Sequence, residues 1–133
     1  MTIEPGKSFS ALVQAAEQAI SFISVADARA QQHAEGCAFI DLRLLREMEK
    51  TGIIAGATSC PRGMLEFWLD PTSPYAREIF TQPLRFVFYC DNGWRSALST
   101  QLAQDMGLQD VTCLKGGLDA WLAADGPVEP YRW

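Results

Sequence analysis

The sequence predicts an α/β fold, a mostly parallel central sheet with helices on both faces. Three observations predict it. Short apolar, β-branched runs such as Cys37–Leu42, Phe86–Tyr89 and Val111–Leu114 have the length and composition of buried strands. Segments with a 3.6-residue period lie between them. The two kinds alternate along the chain, the pattern of crossover connections between parallel strands.

At 133 residues, with 48% hydrophobic and 20% charged residues, the chain is long enough for one cored domain and too apolar for wholesale disorder. The expectation is a single domain over residues 1–133, with residues 1–22 as a helical extension. A net charge of −5 and no Lys/Arg cluster argue against nucleic acid and anionic membrane as partners. No apolar run reaches the roughly 18 residues of a membrane span. MTIEPGKSFS lacks a basic region followed by an apolar one, so no secretory signal is read and the expected location is cytoplasmic. Cys37, Cys60, Cys90 and Cys113 form no CxxC pair. They are expected as free thiols, with no metal site and no cofactor.

Taken in order, Phe9, Leu12, Val13, Ala16, Ala19 and Ile20 predict an amphipathic helix over about Ser10–Phe22, with Ser8 or Ser10 as N-cap. Ile23–Val25 reads as a short strand and Ala26–Ala34 as a helix that carries His33, a surface histidine, and ends at Gly36. Cys37–Arg43 is a buried strand ending in charges at Asp41 and Arg43. Leu44–Lys50 is a short charged helix or turn. Gly52–Ala57 leads into a strand at Ala57–Cys60, and Pro61-Arg62-Gly63 turns the chain. Met64–Leu69 reads as one helical turn or a loop. Pro74 suits the first position of a helix over Tyr75–Phe80. The strand Leu84–Tyr89 precedes a helix over Ser96–Met106, with its apolar face at Ala97, Leu98, Leu102 and Met106 and Gly107 as C-cap. Val111–Leu114 is a strand, Lys115-Gly116-Gly117 a turn and Leu118–Ala124 a helix. The tail VEPYRW has no predicted structure.

The chemistry concentrates in the loop Cys90-Asp91-Asn92-Gly93-Trp94-Arg95. A strand delivers a cysteine to its C-terminal end, where ligands bind in open α/β sheets. The helix that follows presents unpaired N–H groups, and Arg95 adds a positive charge. Gly93 permits the backbone turn that lets amides converge on an anion. These features favour the ionised, nucleophilic sulfur. Asp91 opposes it. Trp94 is placed as a wall or lid.

Three motifs in this order resemble a single-domain rhodanese, a thiosulfate sulfurtransferase-like protein, over roughly Ile23 to Pro127. They are Ile40-Asp41-Leu42-Arg43 with Gly52–Ala57, the loop from Cys90 to Ser96, and Lys115-Gly116-Gly117-Leu118-Asp119-Ala120-Trp121. The resemblance implies a rhodanese-like fold and a catalytic Cys90 that takes a sulfane sulfur from thiosulfate or a persulfide. A thiol, cyanide or a protein thiol then accepts it. It implies substrate-binding roles for Arg95, Arg43, Asp91, Asn92, Gly93 and Trp94, and supporting roles for Asp41 and Arg62. A C-x4-R spacing is one residue shorter than the C-x5-R of phosphatases and arsenate reductases of this fold, and so suits sulfur. The family's Gly-His-Ile-Pro-Gly-Ala reads Gly-Ile-Ile-Ala-Gly-Ala, with Ile53 and Ala55 replacing histidine and proline. Asp91-Asn92 stands where good thiosulfate users carry basic residues, which points to a neutral or protein-bound persulfide as donor. A non-catalytic interaction or sulfur-sensing module is the alternative, and a phosphatase or arsenate reductase a third reading.

Overall fold

A computed structural model describes residues 6–132. Five parallel strands form the main sheet, in the order β1 (Phe22–Ile23), β6 (Val111–Leu114), β5 (Arg85–Tyr89), β2 (Cys37–Asp41) and β4 (Thr58–Ser59). β5 lies at the centre, with Asp41 of β2 opposite Tyr89 and Cys113 of β6 opposite Phe88. The pleat sends alternate residues to opposite faces. Ile40, Phe86 and Phe88 therefore pack with Leu65, Leu69 and Phe80 on one face. Phe39, Val87 and Tyr89 pack with Leu118 and Trp121 on the other. Continuous apolar runs read as strands because both faces are covered.

Among the described residues, six α-helices surround the sheet: α1 (Phe9–Ala19), α2 (Val25–Gln31), α3 (Leu45–Thr51), α4 (Leu65–Leu69), α5 (Trp94–Asp105) and α6 (Gly117–Ala123). Among the described residues, no helix is long and apolar enough to cross a membrane. Ser8 caps α1, its Oγ accepting from the Ala11 N–H at 3.1 Å. α1 stops three residues short of the expected Phe22, because Phe22 and Ile23 are taken into the sheet beside β6.

Three expectations need correction. Tyr75–Phe80 is not an α-helix, and only a 3-10 turn forms at Glu78–Thr81. Asp70 Oδ1 and Ser73 Oγ capture the N–H groups of Thr72 and Tyr75, so local side chains outbid helical pairing. The tail is structured: β7 (Val128–Glu129) pairs antiparallel with β3 (Ile53–Ile54). Gly126 lies flat on Trp121, whose indole N–H donates to Pro127 O at 3.0 Å. Finally, α5 does not bury a simple apolar stripe. Its buried residues are Ser96, Ala97, Ser99, Thr100 and Ala103. Ser99 and Thr100 return their hydroxyl protons to the carbonyls four residues back, at 2.6 and 2.7 Å, and so enter the core without unpaired polar groups. Gly107 lies one residue beyond the Met106 cap, with φ +104°, and Leu108 N donates to Ala103 O in a Schellman-type closure.

Candidate active site

β5 ends at Tyr89, so the next residue, Cys90, emerges at the C-terminal edge of the sheet's central strand. Gly93, at φ +107°, turns the chain into α5 and is its N-cap. The turn folds the loop back on the sulfur. The Gly93 N–H donates to Cys90 Sγ at 3.2 Å and the Ser96 N–H at 3.4 Å. Ser96 Oγ lies 3.4 Å from the same sulfur. Three donor-bearing groups thus surround one buried thiol, an arrangement that stabilises negative charge on sulfur. Ser96 Oγ also accepts from Cys113 Sγ at 3.3 Å.

α6 braces the ring from behind. Leu118 N donates to Cys90 O at 2.8 Å and Asp119 N to Asp91 O at 2.9 Å. The approach is so close that a Cβ on Gly117 would sit 2.6 Å from Asp91 O and 2.8 Å from Cys90 O. This explains the Gly116-Gly117 turn: Gly117 has φ +63°, and only a residue without a side chain fits there.

Asp41 and Arg43 form a buried brace beside the loop. The Arg43 Nη2 donates to Asp41 Oδ2 at 2.9 Å and to Gly52 O at 2.7 Å, and its Nη1 to Thr51 Oγ1 at 2.8 Å. The Arg43 side chain is only 3% exposed. The guanidinium expected to bind substrate thus meets protein acceptors with its Nε, Nη1 and Nη2 donors. Burial opposes the Arg43 charge, but the Asp41 bonds outweigh that and keep it firmly protonated. Tyr89 lies next to Asp41, with its hydroxyl oxygen accepting from Ile54 N at 3.0 Å. Burial, and then the Asp41 charge, pushes its phenol above the ordinary range.

Arg95 is the loop's cation, and it is already paired. Its Nη1 and Nη2 donate to Glu47 Oε2 and Oε1 at 2.7 and 2.8 Å, and Nη2 also to Asp91 Oδ1 at 2.9 Å. The Arg95 bonds, first of all, hold the Glu47 carboxyl below its usual range. Desolvation would raise Asp91, but the bonds from Arg95 and the Asn92 N–H leave it lowered. Asn92 is exposed, and its Oδ1 accepts from Trp94 N at 3.1 Å. Trp94 turns outward onto α1, with its ring centroid 5.1 Å from that of Phe9. Arg62 pairs with Glu66 at 3.2 Å on the surface beyond β4.

Glu47 escaped the sequence reading. It lies 48 residues from Arg95, and its only local signal was a third-position glutamate whose carboxylate accepts the Leu44 N–H at 2.9 Å. Burial pushes Cys60 up to about 12 and Cys113 to about 11, and it raises Cys37 as well.

A model of the rhodanese-like domain matches residues 24–124. A protein of unknown function from Rhodopseudomonas palustris, described as a possible tyrosine phosphatase, is 45% identical, with a TM-score of 0.94 over 97% of this chain and 99% of its own. The human single-domain sulfurtransferase is 25% identical, with a TM-score of 0.65 over 77% of this chain and 95% of its own. A thiosulfate sulfurtransferase from Pseudomonas aeruginosa is also 25% identical, with a TM-score of 0.68 over 84% of this chain but only 20% of its own. No curated protein matches the sequence. The loop anchored between β5 and α5, the Asp41–Arg43 brace and the matched residues agree: the chain belongs to the rhodanese-like domain family.

Proposed function

We propose that the chain is a sulfurtransferase working through a Cys90 persulfide. The observation that carries the reading is the ring of donors on Cys90 Sγ: the amides of Gly93 and Ser96, with the Ser96 hydroxyl beside them. In the first step the Cys90 thiolate attacks the outer sulfur of a donor. A new S–S bond forms on Cys90 and the donor's S–S or S–SO₃ bond breaks, its electron pair leaving on the thiolate or sulfite released. In the second step an acceptor thiolate, or cyanide, attacks the outer persulfide sulfur and the Cys90 thiolate is regenerated. The same donors that hold the thiolate hold it as leaving group, which is the economy of a covalent two-step mechanism. The four cysteines are unpaired, which suits a reducing compartment such as the cytoplasm.

A second reading, phosphate-ester hydrolysis, is favoured by the description of the Rhodopseudomonas relative. It needs Arg95 to clamp the oxygens of a dianion, yet Glu47 and Asp91 occupy that guanidinium. The loop is also one residue short of the phosphate-sized ring. Intact-mass measurement separates the readings. A gain of one sulfur on Cys90 after exposure to a sulfane donor, lost in Cys90→Ser, is the expected result. Hydrolysis of an aryl phosphate with no sulfur gain would establish the phosphatase instead. Neither outcome with any donor would leave a non-catalytic module.

A further inference from the structure

We propose that Glu47, together with Asp91, sets the donor class of this site, making it select sulfane donors without net negative charge over thiosulfate. The inference rests on the sulfurtransferase reading. An arginine recruits a dianion through its N–H fork and its field. Here the fork is spent. Both Nη atoms of Arg95 go to Glu47 in a bidentate pair, and Nη2 is shared with Asp91. One positive charge meets two negative ones, so the cluster is net negative.

The surroundings do not reverse that sign. A cleft of about 180 Å³ beside the loop is lined by Glu47, Asp91 and Asp119, with Lys50 and Arg43 as its cations. Arg43 is already neutralised by Asp41. Among the described residues, Lys50 is therefore the one remaining cation lining that cleft, set against Asp119 and the surplus carboxylate on Arg95. Thiosulfate, doubly negative, approaches against this field. A persulfide bearing an ammonium group does not, because its charges balance.

The experiment uses the full chain and its Glu47→Gln and Asp91→Asn variants. The rate of sulfur gain on Cys90 is measured by intact mass with thiosulfate and, separately, with cysteamine persulfide, which carries no net negative charge. Removing one charge at contact distance from a dianion in near-aqueous surroundings is expected to change the ratio of the two rates about tenfold in favour of thiosulfate. Added salt should move the wild-type ratio the same way and the variant ratios less. A role confined to folding would slow both donors alike and leave the ratio and its salt dependence unmoved. Unchanged ratios in both variants, with sulfur still gained, overturn the inference and leave the sulfurtransferase reading intact. No sulfur gain from either donor in any form overturns both. Glu47→Gln keeps the side-chain shape and its bond to Leu44 N, and Asp91→Asn tests the same charge from another element, so one poorly folding variant does not end the test.

Discussion

At the scale of single residues, two guanidiniums divide the labour that charge alone would assign to both. Arg95 is one-third exposed and faces carboxylates at the loop, whereas Arg43 is buried against Asp41. Removing one partner of a buried pair strands the other, which costs about 3–5 kcal/mol. Arg43→Met is therefore expected to lower stability by about 3 kcal/mol and the melting midpoint by about 10 °C. The double variant Asp41→Asn/Arg43→Met should recover part of that loss. Thermal denaturation followed by circular dichroism checks both. A midpoint within a degree or two of wild type for Arg43→Met would show that the pair contributes nothing.

At the scale of elements, the decisive contact is the N-terminus of α6 on the loop after β5. Gly117→Ala would drive a methyl group into the Cys90 and Asp91 carbonyls. It also forces a left-handed backbone on alanine, which costs about 1 kcal/mol. Gly36→Ala is the matched control, since Gly36 has φ +81° but open space around its Cβ position. Both variants should lose the backbone contribution, and only Gly117→Ala should also slow sulfur gain on Cys90, by about tenfold or more if the ring shifts. Equal rates in the two variants would show that the ring does not depend on α6. Elements with a local cause were legible in the sequence. β6 was read to the residue, β2 and β5 within two, and the Gly116-Gly117 turn was visible as a glycine pair. What was not legible depended on distant partners. β7 exists because Ile53 and Ile54 offer it an edge. α5 buries serine and threonine because each hydroxyl returns to its own helix. At the site, Cys90, Gly93 and Arg95 announced themselves through spacing. Glu47 did not, because an ion pair across 48 residues leaves no periodic trace.

At the scale of the whole molecule, pH acts from two sides. Glu47, through its Arg95 bonds, and Asp91 and Asp70 all have folded values below the ordinary carboxylate range. A depressed carboxylate stabilises the fold above its unfolded value, near 4, and that contribution is lost as pH falls through the folded value. Each is partly or fully exposed, so each share is small and salt-screened. The buried thiols work in the opposite sense. Cys60 and Cys113, pushed up to about 12 and 11 by burial, stay protonated in the fold while the unfolded chain ionises near 8.5. Their contribution is complete below that value and falls as pH rises towards the folded ones. The melting midpoint should therefore be level between about pH 5 and 8 and decline on both sides. The two limbs have separate causes, so they should separate by mutation. Glu47→Gln/Asp91→Asn should lower the plateau and flatten the acid limb while leaving the alkaline limb in place. Cys60→Ala should lower the plateau through a core cavity and flatten the alkaline limb alone. Melting profiles of the three proteins from pH 3 to 11 test this. If the double variant keeps the full acid slope, acid unfolding is set by carboxylates away from the loop, and the Glu47–Arg95–Asp91 cluster matters to the site without mattering to the fold.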